Sequence, residues 1–123
     1  IAGPAAEGTI ITTSLNRDSA SIETKNFIRE FESKTGNKAD MVAASAHTAV
    51  KVIVAAMRKA GTTDKAALRE AISATSVVAA TGNISFNALG EVRKDVQVQI
   101  VKNGTWREYS VISDSKLLAP PNQ

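Results

Sequence analysis

The 123-residue sequence predicts an α/β chain, and three observations point that way. A short β-branched run, Thr9 to Thr13, precedes any helical pattern. Three helical patterns then follow one another between Asp18 and Ile72. Finally the period changes to two: Val96, Val98 and Ile100 alternate with Gln97, Gln99 and Val101 up to a turn at Asn103-Gly104.

Taken in order, Thr9 to Thr13 is bounded by Gly8 and by the polar Ser14-Leu15-Asn16-Arg17-Asp18, so it reads as a buried strand leaving into a loop. Asp18 or Ser19 is placed to cap the first helix, because a side-chain oxygen there accepts from the orphan N–H groups of the first turn. That helix puts Ile28 and Phe31 on one face with Ile22 and Phe27 alongside, and ends before Gly36. Asp40 caps a second helix that runs from Met41 through Met57 to Gly61 and is apolar on nearly every side, so it requires cover on nearly every side. Asp64 caps a third, shorter helix with Leu68, Ala71 and Ile72 at i, i+3 and i+4. Ser76 to Ala80 is a β-prone connector, and Gly90 supplies a positive φ in the turn after Phe86. The alternating strand is half exposed, Asn103-Gly104 is a hairpin turn, and Trp106 to Ile112 returns. The tail from Leu117 to Gln123 has no periodicity.

Composition narrows the function classes. The length is that of one domain, and only 4% of residues are aromatic, so Ala, Val, Ile and Leu must build the core. The absence of cysteine excludes disulfides and thiolate metal sites. No uninterrupted run approaches the roughly 18 apolar residues of a membrane span. The opening Ile1-Ala2-Gly3-Pro4, with neither initiator Met nor signal peptide, reads as a piece of something longer. The net charge of +3 is dispersed; Trp106 beside Arg107 is a weak hint of a nucleic-acid surface, and no nucleic-acid partner is expected.

Catalytic constellations are missing from the pattern. His47 is the one histidine, so neither a triad with a His base nor a two-His metal site can be assembled; its expected role is a packed residue with one satisfied nitrogen. Glu30 and Glu32 point to different helix faces. Gly82 and Gly90 are too far apart, and wrongly flanked, for a phosphate-cradling loop.

The stretch Thr81-Gly82-Asn83-Ile84-Ser85-Phe86-Asn87-Ala88-Leu89-Gly90-Glu91, followed by a strand ending at Asn103-Gly104, resembles the C-terminal third of the extracytoplasmic solute-binding proteins of ABC transporters, in the branched-chain amino acid (Leu/Ile/Val-binding) family. That family has Thr-Gly-x-Ile-x-Phe-(Asp/Asn)-x-x-Gly-(Asp/Glu) there. Ala6-Glu7-Gly8 and its strand, Phe27 to Phe31 with Gly36, and the alanine-rich Ala39 to Gly61 resemble further family segments in the same order, so the likeness runs from about Ala2 to Ser110. His47-Thr48 departs from the family's Tyr-Asp.

The resemblance implies the C-terminal segment of a type I periplasmic-binding-protein fold, in which two α/β lobes close on a solute about three crossing strands. By position, the first crossing is Thr12 to Arg17 and the last Arg93 to Gln99; residues 1–13 and 97–123 fall in the C-terminal lobe and 16–93 in the N-terminal lobe. The family's main ligand clamps map before this segment. Its apolar pocket wall maps onto Met41, Val42 and Ser45, for which plain helix-to-helix core is the alternative role. The implied function is capture of an aliphatic or aromatic amino acid, or a related carboxylate, for uptake through a cognate ABC permease, outside the cytoplasm, with no cofactor, no metal and no catalysis. The remaining part of the parent chain or a second copy of this chain is the implied cover for the long helix. A sensor ectodomain of the same fold and, with no residue in its favour, a small hydrolase are the rival readings.

Overall fold

The computed structural model describes residues 2–118 and contains β1 (Ile10–Thr13), α1 (Ile22–Thr35), α2 (Met41–Ala60), α3 (Lys65–Ser73), β2 (Val77–Ala79), β3 (Gly82–Phe86), β4 (Val92–Arg93), β5 (Val96–Lys102) and β6 (Thr105–Ile112). The strands form two antiparallel sheets, ordered β1-β5-β6 and β2-β3-β4. The part of the expected tail beyond Leu118 lies outside the described residues.

The first sheet is organised by the Asn103-Gly104 turn. Both residues take left-handed angles, φ 53° and 69°, which match the twist of the flanking strands, so Lys102 pairs with Thr105 and the hairpin closes in two residues. Glu7 caps this turn from outside, its carboxylate accepting from the N–H groups of Asn103 at 2.8 Å and Gly104 at 3.2 Å. A bulge follows, because Val98 opposes Ser110 while Gln99 opposes Glu108, leaving Tyr109 unpaired. β1 joins the other side of β5, Ile10 opposite Ile100 and Thr13 opposite Gln97. Contrary to its expected burial, β1 is largely exposed, with Ile10 at 50%, since it is the edge strand and nothing in the described residues covers its faces.

The helices pack on the second sheet. Ser21, rather than Asp18 or Ser19, caps α1, accepting from the Thr24 N–H, because Asp18 is engaged by β6 and the Ser19 hydroxyl accepts from the Ser21 N–H. α1 buries Thr24 and Phe27, with Ile28 and Phe31 partly covered; Ile22 faces out because, two residues before Thr24, it lies on the opposite side of the helix. α3 starts at Asp64, whose carboxylate accepts from the Ala66 and Ala67 N–H groups. The connector expected before Gly82 is the strand β2, and the Ala80-Thr81 turn joining it to β3 plugs between α1 and α2. There Thr24 donates its hydroxyl to the Ala80 carbonyl and Thr81 donates to the Thr48 hydroxyl, each at 3.1 Å. Two apolar clusters result: Leu15, Phe27, Ala39, Ala44 and Ala80; and Val52, Ala79 and Ile84.

α2 is buried along one narrow stripe, Ala44, Thr48, Val52 and Ala56, at four-residue spacing. Val50, Ile53, Val54 and Met57 are exposed because the elements that pack on α2, chiefly α3 and β2, meet its other side. The helix is long and apolar enough to cross a membrane, with mean hydropathy 1.3 over 18 residues, although Lys51 interrupts the run. The core helix of a water-soluble protein meets the same measure.

Candidate functional site

The start of α2 is built from both sides. Asp40 is extended (φ −121°, ψ 177°) and its carboxylate accepts from the Ala43 N–H at 2.7 Å, satisfying one orphan donor of the first turn. Ala39, fully buried, donates its N–H to the Glu32 carboxylate at 3.3 Å, and its carbonyl accepts from the Arg17 guanidinium. With its preceding residue held by α1 and by the segment after β1, the first turn of α2 is a fixed platform. Met41, Val42 and Ser45 lie together on it, at i, i+1 and i+4, and all three are exposed, Val42 at 70% and Met41 at 46%. The patch is an apolar surface with one hydroxyl.

Residues 15–18 connect this platform to the first sheet. Leu15, 1% exposed, enters the α1–α2 cluster, and Arg17 reaches Ala39. The intervening residues turn the other way: Asn16 donates to the Gln97 side-chain oxygen at 3.4 Å and to the Glu108 carboxylate. Asp18 accepts from the Arg107 guanidinium at 3.1 Å and from the Glu108 N–H at 3.0 Å. Gln99, 1% exposed on the same strand face as Gln97, leaves its Nε2 without a hydrogen-bond partner among the described residues.

The stretches Thr12 to Arg17 and Arg93 to Gln99 lie side by side as the family resemblance implies: Thr12 pairs with Val98, Thr13 with Gln97, and Lys94 donates to the Ser14 hydroxyl. Burial there pulls the Lys94 ammonium below the ordinary lysine range, because its charged form loses hydration. Two open hollows are present among the described residues. One, of 680 Å³, lies between α3 and the β3–β4 turn and is lined in part by Arg69, Ile72, Phe86 and Leu89. The other, of 480 Å³, is lined in part by Ser85, Arg93, Lys94, Asp95 and Ser113. Neither includes Met41, Val42 or Ser45.

The structure thus brings the three sequence-designated residues together on one surface but encloses none of them. His47 departs from expectation: it is exposed, with its ring 4.9 Å from that of Phe27 and no hydrogen bond to either nitrogen among the described residues. It meets Phe27 at a tilt of 39° because it sits three residues after Ala44 on the flank of α2 that meets α1. Sequence reasoning missed the two-faced segment 15–18, where four residues are too few to establish a period. Asn87 was also missed as the organiser of the glycine turn: its Oδ1 accepts from the Leu89 and Glu91 N–H groups, and Gly90 adopts φ 81°.

A family profile described as periplasmic binding protein matches residues 1–105. Among solved structures, a leucine-binding protein of Thermotoga maritima is 29% identical, with TM-score 0.81 over 93% of this chain and 33% of its own. A Brucella ovis protein that binds leucine, isoleucine, valine, threonine and alanine, in its closed conformation, is 20% identical with TM-score 0.83 over 97% of this chain and 34% of its own. An ABC-transporter solute-binding protein of R. palustris in complex with benzoate is 21% identical with TM-score 0.78, over 93% of this chain and 35% of its own. The chain therefore spans about a third of the length of these structures. Comparison with curated proteins returned no match.

Proposed function

Because this chain belongs to the periplasmic binding protein family, we propose that it forms the C-terminal part of a two-lobed solute-capture protein that binds its ligand without transforming it. Residues 16–93 are assigned to one lobe, residues 1–13 and 97–123 to the other, with the paired stretches around Thr12–Thr13 and Gln97–Val98 as crossings. The observation that carries the reading is the exposed Met41, Val42 and Ser45 patch on a first helical turn that Asp40, Ala39 and Arg17 fix in place. A pre-positioned apolar wall lowers the ordering cost of binding.

The ligand class follows from the wall and from the relatives. Leucine and benzoate, the ligands named for two of them, share an apolar body and a carboxylate. An apolar wall with a single hydroxyl suits the body of such a molecule, and the carboxylate falls to residues outside this chain. Delivery to a cognate ABC permease outside the cytoplasm completes the proposal. The exposed side of α2, Val50, Ile53, Val54 and Met57, is covered by the rest of the parent, since an uncovered apolar face of that extent is rare on soluble monomers.

The test is thermal unfolding of the full-length protein with leucine, benzoate and a panel of related carboxylates. A ligand that binds only the native state raises the melting temperature by mass action and is recovered unchanged. Turnover of any panel member refutes capture without chemistry. Val42→Trp fills the wall and abolishes the ligand-induced shift while the ligand-free melt stays put; an unaltered shift retires the site assignment.

A further inference from the structure

We propose that Asp18 and Arg107 form a latch that selects the angle between the helical part of this chain and its β5–β6 hairpin; the proposal rests on the two-lobe reading above. The segment Leu15–Asp18 is fastened on both faces. Leu15 and Arg17 hold the α1–α2 part through the buried cluster and the Ala39 carbonyl. Asn16 and Asp18 hold the hairpin through Gln97, Glu108 and Arg107. A segment tied on both sides transmits a rotation instead of absorbing it, so any change of angle must release at least one of these ties.

The ties differ in their exposure to water. Leu15 and Asn16 are 1% and 6% exposed, and Leu15 packs with Phe27 and three alanines. The Asp18 and Arg107 side chains are 33% and 57% exposed, so water replaces their contact at little cost. The ion pair is therefore the tie that opens and closes. Because Arg17 ties the same segment to Ala39, directly before the first turn of α2, the latch is connected to Met41 and Val42 by one short run of backbone. Salt screens an exposed pair, which makes the angle sensitive to ionic strength.

The experiment uses the full-length, ligand-free protein carrying nitroxide labels at Thr63→Cys and Thr105→Cys, with the label-to-label distance distribution measured at low and high salt. Asp18→Asn and Arg107→Gln are each expected to change the ratio of two distance populations by about two- to five-fold, the range of an exposed ion pair. The double variant should go no further than either single one, high salt should move the unsubstituted protein the same way, and Arg107→Lys should stay near it. Both positions are at the surface, and a circular-dichroism melt confirms that each variant is folded. Superimposable distributions for all variants and salts overturn the latch, even if leucine or benzoate still shifts them. Absence of a ligand-induced shift, with the variants behaving as expected, instead counts against solute capture and leaves the latch standing.

Discussion

Removing the Leu15 side chain tests whether residues 15–18 are structural or merely a loop. Leu15→Ala deletes three carbons from a site that is 1% exposed, which at about 0.8 kcal/mol per buried methylene costs about 2.4 kcal/mol in transfer free energy. A cavity term adds to this, because three of its four buried neighbours, Ala39, Ala44 and Ala80, have no side-chain torsions with which to close the gap, and the backbone on either side is tied by Thr13 and Arg17. The expected total is about 3–4 kcal/mol, within the range for buried leucines. In urea unfolding of the full-length protein, at a slope of about 2 kcal/mol per M, the midpoint should fall by about 1.5–2 M with the slope unchanged. Leu15→Met, which nearly conserves volume, should lose less than about 1.5 kcal/mol. A loss below about 1 kcal/mol for Leu15→Ala would show that the residue behaves as part of a solvated loop, and the two-faced segment would have to be abandoned.

Three further outcomes are expected. Glu7→Ala should destabilise by about 1 kcal/mol by freeing the Asn103 and Gly104 N–H groups, read as a lower urea midpoint; no change would mean that the turn is self-sufficient. Lys94 carries its burial penalty in full while it is charged in both folded and unfolded states. As pH rises through its lowered folded value toward 10.5 the unfolded chain keeps the proton longer, so stability should rise in that window relative to Lys94→Met; a flat or falling difference refutes the assignment. The isolated 123-residue chain, with the Val50, Ile53, Val54 and Met57 face of α2 uncovered, should self-associate or unfold without cooperativity, whereas a compact monomer with a sharp transition in sedimentation and calorimetry would contradict the covered-helix reading.

Local chemistry was enough to place much of this fold. The Asp40 and Asp64 caps, the stops at Gly36 and Gly61, the positive φ of Gly90 and the Asn103-Gly104 hairpin all depend on a residue and its near neighbours, so they are written in short strings of sequence. The Thr81 to Glu91 stretch was legible through its resemblance to a family signature and through Gly90, whereas the Asn87 side chain that closes that turn onto its own backbone was not singled out. Long-range competition decided the rest. Asp18 has the chemistry of a helix cap, yet Arg107 and the Glu108 N–H, about ninety residues away, take its carboxylate, and Ser21 caps instead. Ile10 and Ile11 have the pattern of a buried strand but occupy a sheet edge whose cover the described residues do not supply. Leu15, in a polar string, became the largest fully buried apolar side chain because α1 and α2 bring Phe27, Ala39 and Ala44 around it, contacts between segments distant in sequence. The candidate wall divides in the same way: helix periodicity puts Met41, Val42 and Ser45 on one surface, while what faces that surface depends on contacts between distant segments, which no local pattern encodes.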